Sequence, residues 1–229
     1  MLKVRMERQP DDETCGPTAL SAVYGYLGDK ITLKEVVDEV RMVKGGGTLA
    51  CFLGNHALSR GYKATIYTYN LLMFDPTWFG KGIDLADKLR QQAKARHAND
   101  KLQVATEGYL QFLEQGGEVK NDNLTTNLIH DTLEEGHPII AGLSSTYLYQ
   151  VAREVEKEDG RSLYDDVRGK PSGHFVVIAG YNEQEKIMVA DPLGPPGITD
   201  LYYPVSPTRL LNSILLGIVT YDANLLVIS

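Results

Sequence analysis

The chain has 229 residues, of which 43% are hydrophobic and 23% are charged, and its formal net charge is −7. This composition is ordinary for a globular protein and excludes fibrous repeats and long disordered tracts. The acidic balance, with no basic run in the sequence, predicts that nucleic acid is not a partner, because nucleic-acid binding rests mainly on neutralising phosphates.

The sequence contains no signal for a membrane or for secretion. Residues 1–16 lack the apolar core of a signal peptide. No window approaches 18 consecutive apolar residues, so no membrane span is expected. We therefore expect a cytoplasmic protein in which the two cysteines, Cys15 and Cys51, are free thiols.

Hydrophobic periodicity in the first third of the chain predicts three helices between two strands. The helix that starts near Cys15 follows a turn at residues 9–12, and Thr32 is the predicted cap of the next helix. The predicted elements are a strand at 2–8, helices at 14–26, 33–42 and about 49–60, and a strand at 62–69.

The rest of the chain is predicted to be helical first and then rich in strands. Residues 145–173 are polar and broken by glycine and proline, which is typical of a long loop or flap. The predicted elements are helices at 83–97, 101–115 and 127–136, a strand at 138–144, a hairpin of strands at 174–181 and 186–191, a helix near 207–215 and a strand near 216–227.

This order predicts an α+β fold, with an N-terminal helical layer packed on a C-terminal antiparallel sheet. We expect residues 1–229 to form a single domain. Within it, residues 71–120 are predicted to be a helical insertion and residues 145–173 a flap-like segment.

The segment QPDDETCGPTAL places Cys15 in the first turn of a helix. Unpaired N–H groups and the partial positive charge at a helix start favour the thiolate, which is the nucleophilic form of cysteine. Gly16 is expected to keep the approach to the sulfur open. Gln9, six residues before Cys15, could bring its side-chain amide beside the Cys15 N–H and so complete an oxyanion hole.

The predicted hairpin supplies a histidine and a carboxylate at one edge of the sheet. His174 begins its first strand and Asp191 ends its second strand. In an antiparallel pair these two positions are neighbours, and a carboxylate there holds an imidazole in one tautomer. Each residue alone is more often structural, because a lone cysteine usually packs as a small hydrophobe. The joint pattern of Gln9, Cys15, His174 and Asp191 favours a catalytic set.

Three segments that carry these residues, QPDDETCGPTALSAVYGYLG, GHFVVIAGYN and VADPLG, resemble the papain-like bacteriocin-processing peptidases, which remove double-glycine leader peptides. The resemblance covers roughly residues 4–69 and 125–192 and implies a papain-like cysteine proteinase fold. It implies that Cys15 is the nucleophile, His174 the base, Asp191 the orienting residue and Gln9 the oxyanion-hole residue. The turn at 45–48, Gly-Gly-Gly-Thr, resembles the glycine-rich turn that precedes a helix in that family.

The sequence therefore predicts a cysteine peptidase or amidase that cleaves a peptide or an amino-acid conjugate through a thioester intermediate. No metal and no organic cofactor is expected. Two alternatives stay open. One is a γ-glutamyl or peptidyl transferase related to the phytochelatin synthases, which resemble this chain in the order of Cys, His and Asp. The other is a binding module without catalysis. The substrate and the oligomeric state are not predicted.

Overall fold

A large sheet forms the centre of the protein, which the computed structural model describes over residues 1–44, 46–156 and 162–229. The strands in that part of the chain are β1 (Ala64–Thr68), β2 (Glu118–Lys120), β3 (Ile139–Ser144), β4 (Glu154–Glu156), β5 (Ser162–Tyr164), β6 (Gly173–Tyr181), β7 (Ile187–Ala190), β8 (Tyr202–Val205) and β9 (Asn224–Ile228). Seven of them form one sheet in the order β2–β1–β9–β3–β6–β7–β8, in which β1 and β2 pair in parallel and the other neighbours are antiparallel.

The helices in the described residues are α1 (Cys15–Tyr26), α2 (Leu33–Glu39), α3 (Ala50–Ser59), α4 (Leu85–Ala95), α5 (Asp100–Glu114), α6 (Thr126–Glu134), α7 (Ser145–Tyr149) and α8 (Pro207–Leu216). Two 3-10 helices are added at Pro76–Phe79 and Gly217–Thr220. Within this part of the chain, no helix has both the length and the apolar character that a bilayer span requires.

Helices cover both faces of the sheet. On one face, α1, α3 and α5 pack on a hydrophobic cluster that includes Ile140, Val177 and Leu226 of the sheet. On the other face, α6, α7 and α8 pack on a cluster that includes Val176 and Leu225. Successive strand residues point to opposite faces, so all six residues of β3 are buried. The predicted α+β class is confirmed, but the sequence analysis described only one of the two helical layers.

The predicted strand at residues 2–8 is wrong. This segment is extended, yet its polar groups bond to scattered partners and not to a continuous ladder. The Leu2 N–H donates to the Ala179 carbonyl (2.7 Å), and the Met6 N–H donates to the Tyr202 hydroxyl (2.5 Å). The same hydroxyl donates to the Val4 carbonyl (3.1 Å). The alternating apolar residues therefore mark an extended strap, residues 2–8, that runs from β6 to the edge strand β8.

Several other boundaries differ from the prediction. The helix predicted at 33–42 ends at Glu39, although Thr32 caps it as expected and forms a capping box with Glu35. The strand predicted near 216–227 begins only at Asn224, because the chain first makes a 3-10 turn. The sequence analysis did not identify β2, which has three residues, or β8, which contains Pro204.

The segment at 145–173 contains more regular structure than the expected loop. It begins with α7, and β4 and β5 then pair as an antiparallel ribbon; residues 157–161 lie outside the described part of the chain. The segment at 71–120 contains the expected pair of helices, α4 and α5, and also adds β2 to the sheet edge.

Close packing between α3 and α5 depends on a glycine in each helix. A Cβ built on Gly54 would lie 2.5 Å from the Phe112 ring. A Cβ built on Gly108 would lie 2.5 Å from the Phe52 ring and 2.7 Å from the Cys51 sulfur. These contacts are shorter than atoms tolerate, so each ring fits only because the facing residue has no side chain.

We predict that Gly108→Ala lowers the free energy of unfolding by about 1–3 kcal/mol, because the added methyl group overpacks the α3–α5 contact. Gly25→Ala is the matched control, since Gly25 is also helical but has no atom within 4 Å of the place that a Cβ would take. The control should raise the free energy of unfolding by about 0.5–1 kcal/mol. Urea denaturation measures both, and equal effects would contradict the packing argument.

Candidate active site

Cys15 is the first residue of α1 and is 9% exposed. No side chain caps this helix start, because the Thr14 hydroxyl turns back and donates to the Asp11 carbonyl (3.4 Å). The uncapped N–H groups of the first turn therefore keep their partial positive charge beside the Cys15 sulfur.

Gly16 has a packing role that differs from the expected one. It is buried, and a Cβ at this position would clash with the Thr48 methyl group and lie 3.2 Å from the Phe175 ring. Close contact between α1, the loop before α3 and β6 therefore requires glycine at position 16.

His174 lies on β6 and is 4% exposed. Its Nε2 atom is 2.8 Å from the Asp191 Oδ1 atom, so Nδ1 is the ring nitrogen left for Cys15. Burial disfavours the charged ring, but the Asp191 carboxylate and the neighbouring Cys15 thiol outweigh that effect and raise the pKa of His174. The imidazole is thus held in a position and a charge environment that suit proton exchange with the thiol.

The Asp191 carboxylate is completely buried and accepts five hydrogen bonds. Its Oδ1 atom accepts from His174 Nε2 and from the backbone N–H groups of Leu193 (2.9 Å) and Gly194 (3.0 Å). Its Oδ2 atom accepts from the hydroxyls of Tyr149 (2.8 Å) and Tyr203 (2.5 Å). Burial alone would raise the pKa of Asp191, but His174 and these donors lower it well below its usual range.

The hydroxyls of Tyr149 and Tyr203 can only donate to the Asp191 carboxylate. Burial, reinforced by the Asp191 charge, raises the pKa of Tyr149 and of Tyr203 far above the ordinary value, so both hydroxyls keep their protons. The sequence analysis assigned no role to Tyr203 and saw Tyr149 only as part of the flap-like segment. The sequence could not predict either contact. Tyr203 reaches Asp191 only because β8 pairs with β7, and Tyr149 only because α7 packs nearby.

Gln9 lines a cavity together with His174, and its side-chain amide is hydrogen-bonded within its own turn. Its Nε2 atom donates to the Asp11 carbonyl (2.7 Å), and its Oε1 atom is buried without a hydrogen-bond partner in the described part of the chain. The Gln9 backbone N–H donates to the Pro192 carbonyl (3.0 Å), which ties this turn to the loop after Asp191.

Two cavities meet at Gly173 and His174. The first, which we call the Cys15 cavity, has a volume of about 200 Å³ and is lined by Cys15, Gly46, Gly47, Lys101, His174 and Asp222 among others. The second, the Gln9 cavity, has a volume of about 290 Å³ and is lined by Gln9, Ser145, Glu154 and Tyr164 among others. An elongated substrate that contacts Cys15 can therefore extend to both sides of His174.

The glycine-rich turn before α3 forms one wall of the Cys15 cavity. Gly46 and Gly47 both have positive φ angles (105° and 74°), which only glycine adopts freely. Gly45, the first glycine of the predicted turn, lies outside the described residues. Lys101 and Asp222, which the sequence analysis did not single out, also line this cavity.

Cys51 lines neither the Cys15 cavity nor the Gln9 cavity. Both cysteines are free thiols, but Cys51 is fully buried in α3, and burial raises its pKa far above the ordinary value. A buried neutral thiol is inert. The two cysteines of the chain are therefore distinguished by exposure: one borders a cavity and the other fills the core.

Comparison with known proteins agrees with this fold. A protein from Bacillus anthracis assigned as a C39-like peptidase, known from a crystal structure, matches with a TM-score of 0.52 at 15% identity. The match covers 100% of this chain and 96% of that one, and at this identity it shows a shared fold. No curated protein matches the sequence. The model of the Peptidase_C39 like family matches residues 1–201. The resemblance to papain-like cysteine peptidases is thereby confirmed, and the chain belongs to the Peptidase_C39 like family.

Proposed function

We propose that the protein is a cysteine peptidase or amidase with Cys15 as nucleophile, His174 as base and Asp191 as orienting residue. The observation that carries this proposal is the shared cavity of Cys15 and His174, with the far nitrogen of the imidazole bonded to a buried carboxylate at 2.8 Å. Family membership supports the same reaction class, and a peptide is the substrate class that the family implies.

In the proposed mechanism, His174 Nδ1 takes the proton of the Cys15 thiol, and the thiolate attacks the carbonyl carbon of an amide. Asp191 stabilises the imidazolium that forms and fixes its tautomer. The C–N bond then breaks as His174 returns the proton to the leaving nitrogen, which leaves a thioester on Cys15. Water adds to the thioester with His174 as base, the C–S bond breaks, and the free thiol is regenerated.

The negative oxygen of each tetrahedral intermediate needs donors that are in place before the reaction. The uncapped start of α1 supports the Cys15 N–H as one donor. Gln9 supports the second: one hydrogen of its amide is bonded to Asp11, and the other remains for the oxyanion. The buried Gln9 Oε1 atom, which has no partner in the described residues, is consistent with an amide that reorients when substrate enters.

Hydrolysis and acyl transfer share every step up to the thioester and differ only in the second nucleophile. Product analysis with and without an added amine or thiol acceptor separates them. We expect the free acid as product in water alone; a product formed only with acceptor would favour the transferase.

We predict that chloroacetamide alkylates Cys15 about 100-fold or more faster than Cys51 at pH 7, because Cys51 reacts only after the core opens locally. Mass spectrometry of tryptic peptides measures both rates. His174→Gln, which keeps a hydrogen-bond donor toward Asp191, should slow Cys15 alkylation by about 100-fold through loss of the base.

The Cys51 rate in the same sample is the internal control for folding. Equal labelling of the two cysteines, or Cys15 labelling that ignores His174→Gln, would refute the nucleophile assignment. Rapid labelling of both in the variant would instead report an unfolded protein.

We predict that Tyr203→Phe lowers the free energy of unfolding by about 1.5–3 kcal/mol at pH 7, since it removes a donor from a buried carboxylate. The pKa of Asp191 is held below its usual range, so its stabilisation is complete above the unfolded-state value of about 3.9 and declines as the pH falls below it. The unfolded state is the same in wild type and variant, so the difference between them should stay constant at about pH 4 and above and shrink only as the pH falls through the folded-state pKa of Asp191, which lies well below its usual range. Denaturant unfolding at several pH values measures it.

Tyr202→Phe is the matched control for this measurement. Its hydroxyl is also hydrogen-bonded, but its partners are the neutral backbone groups of Met6 and Val4. Its loss of stability should not change as the pH falls through the folded-state pKa of Asp191. A Tyr203→Phe effect that also stays constant over that range would contradict the role of the hydroxyl at Asp191.

A further inference from the structure

A second carboxyl group lies in the Cys15 cavity and has no part in the mechanism above. Asp222 is 6% exposed and lines this cavity with Cys15, His174 and Lys101. It follows the 3-10 helix Gly217–Thr220 and precedes β9, so two elements anchor its backbone. Buried carboxyl groups are rare unless they are paired with a cation or hydrogen-bonded, so a buried carboxyl group in a cavity wall indicates a candidate binding group.

Only one oxygen of this carboxyl group is engaged. Asp222 Oδ2 accepts from the Thr220 hydroxyl (2.6 Å), while Oδ1 has no hydrogen-bond donor among the described residues. The group also faces Gly173 directly, because a Cβ at Gly173 would clash with Asp222 Oδ2 and lie 2.7 Å from Thr220 Oγ1. The glycine before His174 thus keeps space open between the carboxyl group and the reactive pair.

Lys101, the lysine that shares the cavity wall with this group, is directed elsewhere. Its Nζ atom donates to the Thr220 carbonyl (3.1 Å) and lies 4.7 Å from the centre of the Tyr221 ring. The described residues contain no ion pair between Lys101 and Asp222. Burial raises the pKa of Asp222 to about 7, and the Thr220 hydroxyl, Lys101 and His174 only partly oppose this effect. Among the described residues no cation is therefore hydrogen-bonded to the carboxylate form of Asp222, and an ammonium group of a ligand can take that place.

We propose that Asp222 is a specificity-determining residue that binds a primary ammonium group of the substrate in the Cys15 cavity. This inference rests on the proposed function of Cys15. The cavity, at about 200 Å³, is smaller than the ~300–1,000 Å³ of sites for whole small-molecule ligands, so it suits a single side chain.

The single free oxygen favours an ammonium over a guanidinium group. A guanidinium binds best when both carboxylate oxygens accept in parallel, but Thr220 occupies one of them. An ammonium is a compact donor that needs only one strong acceptor. Lysine-like side chains and other primary amines are therefore the class that this site fits.

The test compares two reagents that alkylate Cys15, N-(4-aminobutyl)chloroacetamide and its uncharged analogue N-pentylchloroacetamide. The sulfur displaces chloride in both cases, so no hydrolytic turnover is needed. The ratio of the two second-order rate constants, divided by the same ratio for glutathione, measures the preference for the amine. We expect a preference of about tenfold at pH 8, as a charge-assisted hydrogen bond provides.

Asp222→Asn should remove this preference, so that the ratio of the two rate constants falls to the glutathione ratio; a change that the substitution makes to Cys15 or His174 cancels in the ratio, because both reagents meet the same pair. Asp122→Asn is the matched control, because it removes one negative charge at an exposed position outside the cavity and should keep the preference. Thermal unfolding of each variant reports whether the fold is intact.

The pH dependence gives a second measurement on the unmodified protein. Lys101, His174 and Cys15 are the ionisable groups that share the cavity with Asp222. Tyr109 on α5 also interacts with the charge of Asp222, but burial raises the pKa of its hydroxyl well above the ordinary value, so it stays protonated. The glutathione-corrected ratio cancels changes in the thiol and the base, because both reagents meet the same pair. It should rise between about pH 5.5 and pH 8.5 as Asp222 ionises.

The outcomes separate this inference from the proposed function. If Cys15 reacts with neither reagent, the proposed nucleophile fails. If it reacts with both at the glutathione ratio at every pH, only the ammonium site fails. A preference that survives Asp222→Asn overturns the assignment to Asp222, and loss of preference in Asp122→Asn reduces it to a general effect of net charge.

Discussion

The arrangement around His174 depends on one buried charge, the Asp191 carboxylate. Removing a carboxylate from water is unfavourable by several kcal/mol unless its oxygens are fully hydrogen-bonded. Here the donors come from β6, from α7, from β8 and from the backbone just after Asp191. Each of these segments must be in place for the charge to be tolerated. Burial of Asp191 therefore couples the hairpin, the start of the flap-like segment and the edge strand into one unit.

This coupling explains how a short helix can be part of a rigid site. Helix α7 has five residues, too few to be stable alone. Its position is set by Leu148, which is buried in the core, and by the hydroxyl of Tyr149 on Asp191. The hairpin strands are held more broadly, by ladder bonds on both sides of β6. The imidazole is thus oriented by the well-paired hairpin strands and, through Asp191, by one hydrogen bond from the short helix α7.

The parts of the site that could be predicted were those with local signals. Cys15 lies at a helix start, and the pairing of two strands in a hairpin is enough to place His174 near Asp191. In the structure His174 Nε2 lies 2.8 Å from Asp191 Oδ1. Tyr203 and Asp222 gave no such signal, because their contacts join segments far apart in the chain. The prediction of a strand at 2–8 was wrong because alternating apolar residues show that a segment is extended but not which strand it pairs with.

The fold shows the same division. Helices with clear caps, such as the one begun by Thr32, were predicted with small boundary errors. The second helical layer was not predicted. The sequence of β3 is apolar throughout, so it shows that both faces are covered but not which elements cover them. The helices at 71–120 were identified, but not that α5 would carry Lys101 into the cavity beside Cys15. A segment distant in sequence from Cys15 and His174 thus helps to line their cavity.

The N-terminal segment, residues 1–9, is hydrogen-bonded to the loop that follows Asp191. The Arg8 guanidinium donates to the carbonyls of Leu193 (2.8 Å) and Thr199 (3.1 Å), and Gln9 bonds to Pro192. This segment therefore braces the loop whose backbone supports Asp191, and its Val4 and Met6 side chains are also buried in one of the two cores. Proteolytic removal of residues 1–9 would take away both the brace on the Asp191 loop and two buried side chains of the core. The support of the Asp191 carboxylate and the stability of the fold thus share one short N-terminal segment.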